Sequence, residues 1–463
     1  MTAWITPHVF NAALTVLASK SHTIRRLVMA ALTDDVSYIE QPLLSADTQA
    51  CVAACRVLGA EISEEFSTKV ECDGNGLLRS WIVRGHRSGK AVITEQLIDA
   101  GNSGTTLFFA IAAAALLSQP VTFTGDRQIA GRSAGPLLDA LANLGVTISS
   151  KNGCIPITVY GPMKDGRVNL PCITSQYLSA LLIAAPLAPE STITEIDIPL
   201  LNEKPYVEMT LAYQQLQGLY DNTVCDSRII TNADYSYFRI QGGNAYTPMN
   251  GPVPGDFSSA VFPAAAAVLS GGKTTLLSLD PDDTQGDKVF FDYLLQMGCE
   301  VKWEQKDNDW QVTVFRNRPL QGGVFDLNAT PDLLPIMAVL GAFAVGETRL
   351  CNAAHARIKE TDRISVMAEE LQKLFAGNTR FCCEEKPDGL IIQGAESVTD
   401  IAGHSGITIN LDSRGDHRVV MALACAALGL PAGTKVAISG AEAADATYPG
   451  FLKLVGGVTD YSK

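Results

Sequence analysis

The stretch NSGTTLFFAIAAAALL, residues 102–117, decides the fold. Five small or polar residues open it, and eleven consecutive apolar residues follow. That run falls short of the roughly 18 residues a membrane span needs. A helix that is apolar all round is instead buried in a protein core. Its polar opening then carries unpaired N–H groups and the positive end of the helix dipole into the interior. Small residues at such an end let an anion approach the backbone.

The pattern recurs. SKSHTIRRLVMAAL begins at Ser19, TSQYLSALLIAAPL at Thr174, DFSSAVFPAAAAVL at Asp256, PDLLPIMAVLGAFA at Pro331 and GDHRVVMALACAAL at Gly415, spaced about 70–85 residues apart. Runs rich in β-branched residues follow them, among them VTFTG, STITEID, KTTLLSLD, ETRLCNA and TKVAISG. Second helices end in Leu-Gly or Met-Gly steps, as in CRVLGAEI, LANLGVTI and LLQMGCEV. Repeats of helix and strand in this alternation predict an α/β fold. Six units divide into two sets of three. TPMNGPVPG, residues 247–255, is the most linker-like stretch and falls between the sets. At 463 residues, two domains are the natural expectation.

Composition narrows the function. With 47% hydrophobic and 18% charged residues, the chain reads as a soluble globular protein. No apolar run is long enough for a membrane span, and MTAWITPHVFNAAL shows no basic region followed by a cleavage site, so a cytoplasmic protein is expected. The eleven cysteines include no CxxC pair, so they read as free, mostly buried thiols. The six histidines form no HxH or HExxH pattern, so neither metal nor cofactor is expected. A net charge of −14 argues against nucleic-acid binding. Yet Lys20, Arg25, Arg132, Lys359, Arg363 and Arg418 sit at or near the helix openings, where a cation opposes the dipole. Several helix starts and cations facing one place would bind anions without a basic protein.

The same places carry an ordered set of motifs. Ser19-Lys20-Ser21 precedes Arg25. Asn102-Ser103-Gly104-Thr105 and Arg132 follow, then Thr174-Ser175-Gln176, Lys204-Pro205-Tyr206 and Asp332. Arg357-Ile358-Lys359-Glu360-Thr361-Asp362-Arg363 and Asp416-His417-Arg418 complete it. From about Ser19 to Phe451 the chain resembles the enolpyruvyl transferase family, and within it the branch whose acceptor is shikimate 3-phosphate. The resemblance implies an inside-out α/β barrel architecture: two domains, each of three βαβαββ units with helices packed inside, closing on a central cleft. Residues 20–250 would form the first domain, and 1–19 plus 251–463 the second. It implies a transferase that moves the enolpyruvyl group of phosphoenolpyruvate to the 5-hydroxyl of shikimate 3-phosphate, releasing phosphate, in aromatic amino acid biosynthesis; the sequence leaves the oligomeric state open, a monomer included.

By that resemblance, Lys20, Asn102, Gly104, Arg132, Gln176, Arg363 and Arg418 hold phosphoenolpyruvate. Lys20, Ser21, Arg25, Thr174, Ser175, Gln176, Tyr206, Asp332, His355 and Lys359 hold the acceptor. Lys20, Asp332 and Glu360 carry the proton transfers, and which carboxylate is acid and which base stays open. Addition followed by elimination needs such an exchange of acid and base roles. The forked guanidinium of arginine suits carboxylate and phosphate groups.

Four positions depart from the family pattern. Thr106-Leu107-Phe108-Phe109 replaces a stretch with an arginine and a proline, and His355 replaces an asparagine. Ala446-Thr447-Tyr448-Pro449 lacks a lysine, and Glu203 stands where a serine touches the acceptor phosphate. Two unit charges ~5 Å apart repel by about 3 kcal/mol at an effective dielectric of about 20. A phosphate beside Glu203 therefore calls for Lys204 or Lys359 to pair with it. Two other readings share the fold: the same transfer onto a less phosphorylated or amine-bearing cyclitol, and a non-catalytic anion-binding protein.

Overall fold

The computed structural model describes residues 1–66, 79–86, 96–224, 226–307, 309–395 and 408–460. The run that opens at Asn102 forms the helix Gly104–Ala114, and every residue of it except Thr105 is buried. Its five counterparts are the helices Lys20–Ala31, Gln176–Ala184, Phe257–Ser270, Leu334–Ala342 and His417–Leu428. Each begins within three residues of its polar opening. The helices Leu334–Ala342 and His417–Leu428 are buried along their whole length.

The chain divides into two compact units, one of residues 18–253 and one of residues 1–17 with 254–463. Each has its own apolar core. Among its described residues the unit 18–253 holds three four-stranded sheets. In one, Leu97–Asp99 runs parallel to Val121–Thr124, which pairs antiparallel with Cys154–Tyr160, and Thr147–Lys151 closes the edge. The helix Gly104–Ala114 makes the crossover between the two parallel strands, as a parallel pair requires. The sheets built on Val36–Glu40 and on Ile193–Asp197 repeat this order.

Among its described residues the other unit has three sheets of the same design, built on Lys273–Leu277, Glu347–Cys351 and Lys435–Ser439. Two of them draw on the chain's first residues. Ala12–Thr15 lies parallel to Lys273–Leu277, and Thr2–Ile5 sits between Lys435–Ser439 and Val458–Asp460. Among the described residues six four-stranded sheets are thus present, one for each helix opening of the sequence. The stretch 247–255 is more than a linker. Gly251–Pro252 forms an edge strand parallel to Ile39 and Glu40, and the Met249 N–H donates to Ser37 Oγ. A two-residue strand ending in proline is compatible with an edge.

All nine described cysteines are free; Cys51, Cys55, Cys172, Cys299, Cys383 and Cys425 are buried, whereas Cys382 is exposed. Among the described residues no helix is long and apolar enough to cross a membrane.

Candidate active site

In the unit 1–17 with 254–463, the sequence candidates gather around one guanidinium. Arg363 opens the helix Arg363–Leu374 and is 1% exposed. Its Nη1 donates to Asp332 Oδ1 at 2.6 Å, its Nη2 to Glu360 Oε2 at 2.6 Å and its Nε to Asp416 Oδ2 at 2.8 Å. Burial alone would lower its pKa, but Asp416, Glu360 and Asp332 more than reverse that. Arg418 reaches the other oxygen of Asp332, Oδ2, at 3.0 Å, and Lys359 Nζ lies 3.9 Å from Oδ1. Three cations therefore share one carboxylate. Burial pushes Asp332 up, yet Arg418, Lys359 and Arg363 together hold it well below the usual carboxylate range.

Helix starts fix this geometry. Asp332 lies in the 3₁₀ turn Pro331–Leu333 that leads into Leu334–Ala342. Asp416 caps His417–Leu428, its Oδ1 accepting from the N–H groups of Arg418 and Val419. An aspartate directly before an apolar run is an N-cap signal. That signal was available for Asp416, which sequence reasoning matched to a motif but gave no role. Asp287 gave no such signal. It is buried and accepts from Ser258 Oγ, and its Oδ1 has no hydrogen-bond partner among the described residues. Burial raises its carboxyl to about 6 against the opposing pull of Arg418, with Asp332 and Asp256 adding to the rise. His355 is buried and its Nε2 lies 3.1 Å from the Asn328 carbonyl oxygen. Glu360, Asp416 and His417 place ligand atoms within 4.8 Å of one another. Both carboxylates already accept from Arg363, so a metal ion there would compete with the guanidinium.

In the unit 18–253, Lys20 is the first residue of Lys20–Ala31, and its Nζ donates to Asp47 Oδ2 at 3.0 Å. Asp47 sits in the first turn of Ala46–Val57, whose Ser45 cap is closed reciprocally by Thr48. The sequence reading missed this partner. Ser21 is half-buried beside Lys20, and its carbonyl accepts from Arg25. Arg25 lies deeper, 2% exposed, donating to Thr210 Oγ1 and the Tyr206 carbonyl, with Cζ 5.3 Å from the Phe109 ring centre and 5.9 Å from that of Tyr206. Desolvation lowers its pKa to about 10.

Gly104, Arg132 and Gln176 converge. A Cβ on Gly104 would lie 3.1 Å from Arg132 Nη1 and 3.3 Å from Gln176 Oε1. A side chain there would crowd both polar groups, whose flexible ends would have to shift to admit it. Asn102 Nδ2 donates to Gln128 Oε1, and its own buried Oδ1 has no hydrogen-bond partner among the described residues. Phe108 fills its position with an apolar contact, edge-on to Tyr177 at 5.1 Å.

Thr174 and Ser175 meet Glu203. Glu203 Oε2 accepts from Thr174 Oγ1 at 2.8 Å, from the Ser175 N–H at 3.1 Å and from Ser175 Oγ at 3.1 Å. Lys204 turns instead to Glu208, 3.8 Å away, and lies over the Tyr235 ring. Lys359 turns to Asp332.

Comparison with known proteins places the chain in a family. The model of the EPSP synthase (3-phosphoshikimate 1-carboxyvinyltransferase) family matches residues 6–454. A 3-phosphoshikimate 1-carboxyvinyltransferase of Acetivibrio thermocellus is 44% identical over 440 residues, 94% of this chain and 93% of that protein. One of Methanocella arvoryzae is 40% identical over 441 residues, 95% of this chain and 94% of that protein. The solved EPSP synthase of Acinetobacter baumannii superposes with a TM-score of 0.75 at 23% identity, with both chains fully covered, which speaks to the fold.

Proposed function

The chain belongs to the EPSP synthase family, and on that premise we propose that it transfers the enolpyruvyl group of phosphoenolpyruvate to the 5-hydroxyl of shikimate 3-phosphate, releasing inorganic phosphate. The observation that carries this reading is the sharing of Asp332 by Arg363, Arg418 and Lys359, with Glu360 on the same guanidinium. A module that only bound anions would need no group beside its cations to take or give a proton. A reaction that moves protons beside an anionic substrate needs both.

In the addition step, the acceptor oxygen bonds to C2 of phosphoenolpyruvate, C3 gains a proton and the hydroxyl loses one. In the elimination step, the C2–O bond to phosphate breaks and C3 returns a proton, leaving the enol ether. Asp332 is the carboxylate that takes the hydroxyl proton, and it becomes a stronger base as the substrate's anionic groups draw Arg363 and Arg418 away from it. Glu360 and Lys20 are then the groups for the proton at C3. Arg363 and Arg418, with Lys20 and Arg132, neutralise the phosphate and carboxylate of phosphoenolpyruvate. Their bonds to Asp332 and Glu360 keep the forks oriented before substrate arrives, which lowers the cost of ordering them.

The test is phosphate release from phosphoenolpyruvate with shikimate 3-phosphate, coupled to mass detection of the enol ether. Turnover at an ordinary enzymatic rate is expected; a folded protein that makes no enol ether overturns the reading. Glu203 favours a second reading, the same transfer onto an acceptor without that phosphate. Unphosphorylated shikimate run in parallel separates the two.

A further inference from the structure

The carboxylate of Glu203 is an anion already seated where the buried helix Gln176–Ala184 begins. Its residue is 1% exposed, and its backbone is left-handed, with φ 55° and ψ 41°. It precedes the helix Lys204–Leu216 but makes no side-chain cap there. Instead one oxygen collects two hydroxyls and one N–H from Thr174 and Ser175. Non-glycine residues adopt this backbone only when their surroundings over-determine it, and a buried carboxylate is tolerated only when donors meet it. Both conditions are met by the same three hydrogen bonds. Its charge reaches its neighbours: burial first, and Glu203 after it, raises the Tyr177 hydroxyl and the Cys172 thiol.

Resting on the reading that shikimate 3-phosphate is the acceptor and approaches Thr174 and Ser175, we propose that Glu203 is a built-in competitor for the acceptor's phosphate and the residue that sets acceptor affinity. The donors that would meet the phosphate are committed to Glu203. Two anions cannot share them without strong repulsion in so buried a place. The phosphate enters only as the Glu203 side chain leaves, and leaving lets the backbone relax from its left-handed state. Acceptor affinity is then reduced by the fraction of molecules whose cradle is closed. Removing the charge opens the cradle.

The experiment is calorimetric titration of the full-length protein with shikimate 3-phosphate and, separately, with shikimate. Wild type is compared with Glu203→Gln, which keeps the shape, and Glu203→Ser, which clears the cradle. Circular dichroism checks the fold of each. The expected result is binding of shikimate 3-phosphate at least tenfold tighter in both variants, with shikimate affinity changed by less than threefold. The sign is diagnostic, because loss of a merely structural glutamate would loosen Thr174 and Ser175 and weaken binding. Unchanged or weaker binding of shikimate 3-phosphate overturns the proposal. So does equal tightening for both ligands, and so does no binding by any of the three proteins. Turnover is not needed for this readout. Tight binding without enol ether formation counts against the proposed reaction and leaves the answer on Glu203 intact.

Discussion

Lys20 and Asp287 show how differently two charged residues can sit within one fold. Lys20 keeps 20% of its side chain exposed and pairs with Asp47. Asp47 is buried, so the pair contributes somewhat more than the ~1 kcal/mol or less of a fully exposed one, but Lys20 itself stays within reach of water. Lys20→Met should therefore unfold within a few degrees of wild type while kcat falls about a hundredfold or more, as for loss of a charge-stabilising donor. Near-normal kcat in that variant would remove Lys20 from the site. Asp287 is the opposite case. Its folded carboxyl titrates near 6 because burial outweighs the attraction of Arg418, whereas an unfolded aspartate titrates near 3.9. Between those values the folded chain holds a proton that the unfolded chain has lost, so stability falls as pH rises through that window and stays lower above it. Asp287→Asn should flatten this slope and raise stability at pH 8 by on the order of 2 kcal/mol. Denaturation midpoints at pH 5 and pH 8 decide it, and a variant less stable at pH 8 would mean that Arg418 holds Asp287 ionised. The sequence displayed Lys20 because it stands in a recognisable motif. It did not display Asp47 or Asp287, since their partners depend on which helix starts meet.

Helix starts are the elements on which the candidate site is built. The six apolar runs were legible because a helix without a polar face has nowhere to go but the core. The sheets were less so. Strand composition announces strands, but pairing joins residues far apart, as where Gly251 meets Ile39. Glycine and proline in 247–255 spell a linker locally, and only the neighbouring edge makes two of those residues a strand. The charged cluster was half legible, through Arg363, Arg418, Asp332 and Glu360. What the sequence could not show is that Asp416 serves two elements at once, capping His417–Leu428 and accepting from Arg363 of another helix. Losing a cap costs about 1 kcal/mol, and breaking one arm of a buried ion-pair network costs about 3–5 kcal/mol. Asp416→Ala should therefore destabilise by about 4–6 kcal/mol. Asp416→Asn, which keeps an oxygen for the cap, should lose less. Equal losses measured by chemical denaturation would place the whole effect in the charge.

Across the whole molecule, the order of the chain sets which part can fold alone. Residues 18–253 complete three sheets and their own apolar core from one continuous segment. The other unit cannot be cut from the chain in one piece. Its strand Thr2–Ile5 is the inner partner of both Lys435–Ser439 and Val458–Asp460, and Ala12–Thr15 supplies the edge beside Lys273–Leu277. Removing residues 1–17 would leave unpaired backbone on two sheets and take Ala3, Ile5, Phe10 and Val16 out of a core in which each is at most 5% exposed. Unpaired buried N–H and carbonyl groups each carry a penalty of about 1–3 kcal/mol. That loss is large beside the 5–15 kcal/mol by which domains are ordinarily stable. The fragment 18–253 expressed alone should accordingly give a cooperative thermal transition and dispersed amide signals. The fragment 254–463 should give neither until a peptide of residues 1–17 is added. Cooperative folding of 254–463 without that peptide would show that the first strands decorate the unit and do not complete it. Each fragment carries only part of the proposed catalytic set, Lys20 and Arg132 in one and Asp332, Glu360, Arg363 and Arg418 in the other, so neither should release phosphate from phosphoenolpyruvate by itself.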